Sequence, residues 1–307
     1  MKLYQIGKRV LLFLLVNILV VLTIGLVAEL LGVSKLLPHG RLTPLIIFSF
    51  LWGFSGALIS LALSRLMAKW MMGVQVIPSD TRDPELRELL FMVRELAQQA
   101  KLPAMPEVGI YESPEANAFA TGPTKSRSLV AVSTGLLRRM NSDEVKGVLA
   151  HEILHIANGD MVTLTLIQGV INAFVIFLSR VLAFALGQAL RSRDDRDATP
   201  WFLQYLFIVI FETIFSLLGA IVVCWFSRWR EFRADFGGAK LAGRERMISA
   251  LQALKQLYDP EVAMNESRQG QAFQAFKISG KPSGFLKLFA THPPLDERIA
   301  RLEEMNL

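Results

Sequence analysis

The chain has 307 residues, of which 33 are lysine or arginine and 27 are aspartate or glutamate, giving a formal net charge of +6. Hydrophobic residues make up 52% of the sequence and charged residues only 20%. This composition excludes a purely soluble enzyme and a disordered chain, and the single cysteine excludes an internal disulfide framework. Four long stretches contain one charged residue between them, Glu212: Val10–Ala28, Leu42–Ser64, Met161–Ser179 and Trp201–Phe226.

Each of these stretches approaches or exceeds the roughly 20 apolar residues that cross a bilayer as a helix. We therefore predict four transmembrane helices in two hairpins. The first stretch follows Lys2, Lys8 and Arg9 and could instead be a signal peptide, although its apolar run is longer than those segments usually have. The lysines and arginines next to the spans favour a cytoplasmic location for both ends of the chain, while arginines between the third and fourth spans blur this signal.

The spans divide the chain into four segments. A membrane hairpin at 1–64 precedes one part of a cytoplasmic domain at 65–160, and a second hairpin at 161–227 precedes the other part at 228–307. Both cytoplasmic parts lie on the same side of the membrane in this arrangement. The basic residues beside the spans favour anionic lipid headgroups of the bilayer as their partner, and we predict no nucleic-acid binding.

The first cytoplasmic part begins with a helix, predicted from Asp83 as N-cap and Pro84 at the first helical position. Three short apolar runs separated by turns then predict a small β-meander. Asn141 and Glu144 form a capping-box pattern that opens a second helix, and Gly159 ends it. The predicted strands are Val108–Tyr111, Ala118–Ala120 and Leu129–Val132.

After the fourth span, the pattern predicts helices over Arg228–Lys240 and Arg244–Leu257, and a last helix that starts at Pro293. Residues 260–284 have no clear periodicity and are predicted to form a loop. Glu212 lies inside a span, where a charge is costly. Gln168 and Asn172, four residues apart on the third span, are predicted to hydrogen-bond a protonated Glu212.

The second helix of the cytoplasmic domain carries the sequence His151-Glu152-Ile153-Leu154-His155, which is an H-E-x-x-H pattern. Residues four apart share one face of a helix, so both imidazoles can bind one metal ion. Zn²⁺ favours such nitrogen ligands, and Glu152 can take a proton from the attacking water. Only four histidines occur in the chain, so a chance origin for this spacing is rare.

A catalytic zinc site needs a third protein ligand on the same side of the membrane. Glu231 and Asp235 follow the fourth span, four residues apart on a predicted helix. We predict that Glu231 binds the metal and that Asp235 accepts a ring N–H from a ligand histidine. A charged juxtamembrane helix with internal ion pairs is the alternative interpretation of this segment.

These segments together resemble the M48 family of zinc metallopeptidases, and within it a bacterial membrane-bound branch. The resemblance covers nearly the whole chain and includes four spans at matching places. It implies an α+β membrane protein with a mainly helical, zincin-like (gluzincin) catalytic domain. The segments that carry it are Leu149 to Asp160, Glu231 with Asp235, Thr291 to Pro294, Asn117 to Gly122 and Ser227 to Phe232.

The resemblance also implies the roles of individual residues. One Zn²⁺ per chain is expected on His151, His155 and Glu231, with Glu152 as general base. His292 and Arg298 are expected near the site, where either could stabilise the oxyanion of the tetrahedral intermediate. The strand that contains Asn117, Ala118, Phe119 and Ala120 is expected to bind the substrate backbone as an added strand.

The function predicted on these grounds is a membrane-bound endopeptidase of the cell inner membrane that hydrolyses misfolded or damaged membrane proteins on the cytoplasmic side. The resemblance alone implies this stress-response role and, with it, membrane quality-control partners. An intramembrane protease is a second hypothesis, disfavoured because Asp143, Glu144 and Lys146 share the helix with His151. A non-catalytic membrane scaffold with a structural zinc is the third.

Overall fold

The computed structural model describes residues 42–190, 200–257 and 288–305. The first predicted span, Val10–Ala28, lies outside the described residues, as does the predicted loop at 260–284. The described residues fall into two compact units, one that includes residues 42–60, 164–190 and 200–223 and another that includes residues 61–163, 224–257 and 288–305. They are described separately below, each for the residues within the described ranges.

Three helices in the described ranges are long and apolar enough to cross a membrane. They are α1 (Leu42–Met71), α5 (Asp160–Ala189) and α6 (Trp201–Ala242). Each corresponds to one of the last three predicted spans, but each helix continues beyond its uncharged stretch. In particular, α6 is one helix of 42 residues, so the helix predicted at Arg228–Lys240 is confirmed and is continuous with the span before it. No proline interrupts this segment, and charged residues are compatible with continued helix.

The polar residues of the first unit pair differently from the prediction. Glu212 accepts a hydrogen bond from Nη1 of Arg180 at 2.7 Å, and Gln168 donates to Asn172 at 2.8 Å. The predicted bonding of Gln168 and Asn172 to a protonated Glu212 is therefore wrong. An arginine can neutralise a carboxylate by charge, which side-chain amides cannot do, and Arg180 lies just beyond the uncharged part of α5.

The second unit contains a four-stranded mixed sheet in the order β1-β2-β4-β3. Its strands are β1 (Gln75–Val76), β2 (Glu107–Tyr111), β3 (Ala118–Thr124) and β4 (Arg127–Ser133). β4 pairs in parallel with β2 and antiparallel with β3, so the predicted meander is wrong in its pairing. All but the first residue of β4 are buried, which suits an inner strand covered on both faces. The less buried β3 lies at the edge.

Within the described ranges, the second unit also contains five further helices: α2 (Pro84–Gln99), α3 (Thr134–Arg139), α4 (Ser142–Asn158), α7 (Arg244–Leu257) and α8 (Leu295–Glu303). The side chain of Asp83 caps α2 as predicted, accepting hydrogen bonds from the backbone of Glu85 and Leu86. The main hydrophobic core lies between α2, the sheet and α4, around Val93, Leu149 and Ile153, all of which are fully buried. Helix α4 therefore has one face fixed in the core.

Candidate active site

Helix α4 carries the H-E-x-x-H residues and is closed at both ends by its own sequence. Asn141 and Glu144 form the predicted reciprocal capping box at its start. At its end Gly159 adopts φ 72°, and its backbone N–H bonds the carbonyls of His155 and Ile156. This left-handed conformation is easily accessible only to glycine, so the sequence itself specifies where α4 stops and where Asp160 begins α5.

The C-terminal part of α6 brings Glu231 and Asp235 to α4. The two helices approach closely because two adjacent residues of α6, Gly237 and Gly238, lack side chains. A Cβ atom added at Gly237 would lie 2.6 Å from Cδ1 of Leu154, and one added at Gly238 would lie 3.4 Å from the backbone nitrogen of His151. The absent side chains thus allow a carboxylate of α6 to reach the histidines.

His151, His155 and Glu231 are all buried and present one ligand atom each within 4.8 Å of one another. The Nε2 atoms of the two histidines are 3.0 Å apart. The carboxylate oxygens of Glu231 lie 3.3 Å from Nε2 of His151 and 3.3 Å from Nε2 of His155. A tetrahedral zinc ion with ligand distances of about 2.0–2.1 Å separates its ligand atoms by about 3.3–3.4 Å. The spacing therefore fits a zinc ion.

Glu231 is only 1% exposed, and neither of its carboxylate oxygens accepts a well-aligned hydrogen bond from the described part of the chain. Buried carboxylate oxygens without such partners are costly unless a cation satisfies them. Burial alone would raise the pKa of Glu231, but the surrounding imidazoles of His151, His155 and His292 outweigh it and hold this pKa far below its usual range. The carboxylate is therefore ionised, as a metal ligand must be.

Two carboxylates lie on the other side of the histidine rings. Oδ1 of Asp235 is 2.9 Å from Nδ1 of His151, the contact predicted for Asp235. Oδ2 of Asp160 is 2.7 Å from Nδ1 of His155. The role of Asp160 was not predicted from the sequence, because Asp160 begins the next helix. The signal that could have indicated it is the cap at Gly159, which lies between His155 and Asp160 and turns the chain back toward His155.

These contacts also alter the protonation of the histidines in the metal-free protein. Burial would lower the pKa of His151, but its contacts with Asp235 and Glu231 outweigh that effect and raise the pKa to about 9. The pKa of His155 is likewise raised, because the hydrogen bond to Asp160 and the contact with Glu231 outweigh burial. Metal binding must therefore displace protons.

His292, which precedes α8, and Arg298, which belongs to α8, were both expected near the site. They differ in exposure and in the groups that they contact. Nδ1 of His292 lies 3.0 Å from Oε2 of Glu231, and the His292 side chain is 64% exposed. Arg298 is buried and donates two hydrogen bonds to Asp235, from Nε at 2.7 Å and from Nη2 at 2.6 Å. Its Nη1 atom lies 3.8 Å from Glu231. His292 is therefore open to a ligand, whereas two of the three nitrogens of Arg298 are engaged by Asp235.

A cleft of about 340 Å³ opens beside the histidines. Glu152, half-buried on α4, lines this cleft together with His151, Glu231 and His292. Asn117 and Ala118, at the start of the edge strand β3, line it as well, whereas Phe119 packs against Tyr111 with ring centroids 5.7 Å apart. Candidate metal ligands, the carboxylate of Glu152 and the edge of a strand thus meet in one cleft.

Comparison with known proteins agrees with this geometry. The model of peptidase family M48 matches residues 83–306, which contain all the residues just described. The chain belongs to peptidase family M48. It is therefore a metalloprotease, and its apolar helices make it an integral membrane protein.

Similar curated proteins are matched along almost their whole length. A Protease HtpX homolog of Methylacidiphilum infernorum is 50% identical over 97% of this chain and 99% of its own. A homolog from Bacillus subtilis is 48% identical over the same shares. Protease HtpX of Thioalkalivibrio sulfidiphilus is 47% identical, also over 97% and 99%. This confirms the resemblance to a membrane-bound branch of the M48 family.

A solved structure shares the fold. S. mikatae Ste24p superposes with a TM-score of 0.59 at 17% sequence identity, covering 96% of this chain and 66% of the Ste24p chain. At this identity the likeness concerns the fold alone. It supports a mainly helical M48 protease fold with a small mixed sheet.

Proposed function

We propose that this M48 peptidase is a zinc endopeptidase of the bacterial inner membrane that hydrolyses misfolded or damaged membrane proteins on the cytoplasmic side. One observation carries the chemical part of the proposal: three buried ligand atoms lie within 4.8 Å of one another beside a cleft that Glu152 also lines. The role in quality control and stress response rests on the resemblance to protease HtpX. Polypeptide substrates follow from the family.

His151, His155 and Glu231 would hold one Zn²⁺ per chain in a zincin-like (gluzincin) site. The zinc would supply Lewis-acid polarisation of the substrate carbonyl and activation of the attacking water. Three protein ligands leave a position open for these groups, as a catalytic zinc site requires. Among the described residues no well-aligned hydrogen bond reaches the oxygens of Glu231, and this, together with the separations near 3.3 Å, supports the assignment.

Glu152 would be the general base. It follows His151 directly on α4 and lines the cleft, so its carboxylate can take a proton from the attacking water. It would then return the proton to the amine nitrogen of the departing peptide. A positioned acid–base group of this kind contributes on the order of 10²–10⁴-fold in rate.

The segment Asn117, Ala118, Phe119 and Ala120 would bind the substrate backbone as an added strand of the sheet. The backbone N–H of Ser133 bonds the carbonyl of Asn117, and the N–H of Asn117 bonds the hydroxyl of Ser133, so both backbone groups of Asn117 point toward β4. In an antiparallel ladder alternate residues point their backbone groups away, so the N–H and C=O of Ala118 and Ala120 face the open edge. Main-chain bonding of this kind accepts extended peptides of many sequences.

His292 would donate a hydrogen bond to the oxyanion of the tetrahedral intermediate, since it is exposed in the cleft beside Glu231. Arg298 lines the same cleft but is bonded to Asp235 through two of its nitrogens. We assign Arg298 and Asp235 to holding His151 in place rather than to contact with the oxyanion. The sequence allowed either His292 or Arg298 to stabilise the oxyanion, and we assign this role to His292.

We propose that the chain is divided into two membrane hairpins and one catalytic domain, as the sequence predicts. Segments 1–64 and 161–227 would be membrane hairpins, and segments 65–160 and 228–307 would form one catalytic domain in the cytoplasm. The basic residues beside the spans support this orientation. Lipid of the bilayer and membrane quality-control proteins would be the partners.

The test compares the full-length protein with the Glu152→Gln variant in detergent, for bound zinc and for cleavage of casein. We expect equal zinc content and cleavage by the wild type only, because the amide cannot accept the proton. Equal cleavage by both proteins would refute the role of Glu152. Zinc binding by both with no cleavage by either would favour a membrane scaffold with a structural zinc.

A further inference from the structure

Asp160 is a fully buried carboxylate whose two oxygens contact different partners. Its side chain is 0% exposed. Oδ2 lies 2.7 Å from Nδ1 of His155, and Oδ1 accepts a hydrogen bond from Nη2 of Arg233. A buried aspartate of this kind is stable only when its charge is matched by such donors.

Arg233 comes from α6, two residues after Glu231. The same helix therefore supplies a candidate metal ligand and the guanidinium that holds Asp160. The guanidinium also lies above the ring of Trp229, with its central carbon 5.0 Å from the ring centroid. This cation–π contact and the bond to Asp160 restrict Arg233 from two sides.

The arrangement at His155 repeats the one at His151 with different helices. At His151, the orienting carboxylate is Asp235 of α6 and the arginine is Arg298 of α8. At His155, the carboxylate is Asp160 of α5 and the arginine belongs to α6. In both cases a carboxylate lies beside Nδ1, and by accepting the Nδ1 proton it would leave Nε2 of the neutral ring for the metal, on the side of Glu231 and the other histidine.

We infer that Asp160 and Arg233 are positioning residues that set the tautomer and ring orientation of His155 for metal binding. The inference rests on the proposed zinc site and adds to it a second carboxylate–arginine pair. Because the pair joins the start of α5 to α6, it also ties the position of Glu231 to that of His155. Neither residue touches the cleft that the substrate would occupy.

The experiment measures zinc affinity of the full-length protein in detergent by competition with a chelator, beside kcat and KM of the zinc-saturated enzyme. Asp160→Asn keeps the shape of the side chain and removes its charge. We expect its zinc affinity to fall by about 10–100-fold, the usual effect of losing a partner of a metal ligand. Arg233→Gln should lower affinity less, and the double variant should resemble Asp160→Asn alone because the two residues act together.

Asp143 and Arg246 provide a matched control. They also form an aspartate–arginine pair that joins α4 to a second helix, with Nε of Arg246 2.5 Å from Oδ1 of Asp143, but both side chains are exposed. Asp143→Asn and Arg246→Gln should leave zinc affinity unchanged. Thermal unfolding of each zinc-free variant separates loss of fold stability from loss of metal affinity.

Two results would overturn the inference while leaving the proposed zinc site intact. Asp160→Asn with the zinc affinity of Asp143→Asn would show that the pair does not position His155. A lower unfolding temperature of the zinc-free variant with unchanged zinc affinity would show that the pair serves the fold alone. A wild-type protein that binds no zinc would overturn the proposed function as well as this inference. The zinc content of the wild type therefore separates failure of the proposed function from failure of the inference alone.

Discussion

Arg298 donates two parallel hydrogen bonds to the carboxylate of Asp235, at 2.7 Å from Nε and at 2.6 Å from Nη2. Both side chains are buried in the interior of the second unit. Burial would raise the pKa of Asp235, but the bonds from Arg298 and His151 outweigh it and hold that pKa below its usual range. The aspartate therefore stays ionised against the imidazole of His151. A planar guanidinium is needed for this two-point contact.

Arg298→Lys is expected to weaken zinc binding while keeping the positive charge. The ammonium group has no pair of parallel, coplanar donors to match the two carboxylate oxygens, so Asp235 and His151 lose their fixed orientation. We expect about 10–100-fold lower zinc affinity, measured by chelator competition. Arg301→Lys, one turn away on α8 and exposed beside Glu297, is the control and should bind zinc like the wild type. Equal affinities for the two variants would contradict the positioning role.

His292→Ala is expected to lower kcat by about 10²–10³-fold, the usual loss for one oxyanion donor. Zinc content should stay near that of the wild type, and stability should change by no more than about 0.5 kcal/mol because the side chain is exposed. Steady-state cleavage and thermal unfolding measure these effects. Thr291→Ala removes a neighbouring exposed side chain and should be active. If His292→Ala changed the thermal stability but not kcat, His292 would have only a structural role in the segment before α8.

Ala118→Pro tests substrate binding at the edge of β3. Proline removes the backbone N–H that we expect to face the open edge, without removing a bond to β4. KM should rise by about 2- to 10-fold, since a lost backbone bond to an extended peptide costs about 0.5–1.5 kcal/mol. Ala118→Val retains the N–H and is the control. Cleavage kinetics with an unchanged KM for the proline variant would exclude strand addition at this position.

Removing zinc should make stability depend on pH in a defined direction. In the zinc-free protein the pKa of His151 is about 9, above the value of about 6.5 for an ordinary histidine. The folded state then binds this proton more tightly than the unfolded chain does. The resulting stabilisation is complete below about pH 6.5 and is lost as pH rises through about 9.

We therefore expect the unfolding temperature of the zinc-free protein to fall between pH 6.5 and 9. Zinc affinity should rise over the same range, because the metal and the proton compete for His151. Thermal unfolding of zinc-free and zinc-loaded protein at several pH values measures both trends, and the loaded protein should lack the fall. A zinc-free protein equally stable at pH 6.5 and 9 would show that His151 is not protonated there.

Local features of the sequence predicted much of the site. The H-E-x-x-H spacing places His151 and His155 on one helical face, and the capping box of Asn141 and Glu144 sets the start of that helix. Gly159 sets its end. Each of these depends on hydrogen bonds or periodicity within a few residues, so a short segment contains the whole physical cause. The apolar stretches that correspond to α1, α5 and α6 are of the same kind.

Only the tertiary structure decided which distant residues meet. Strand β4, buried in all but its first residue, lies between β2 and β3 and pairs with both. The local spacing of apolar residues does not specify which strands become its neighbours. Glu212 pairs with Arg180, and Asp160 with both His155 and Arg233, because helix packing brings those groups together. A sequence usually contains several residues that could pair with a given buried charge. The packing of whole helices determines which of them comes close enough to do so.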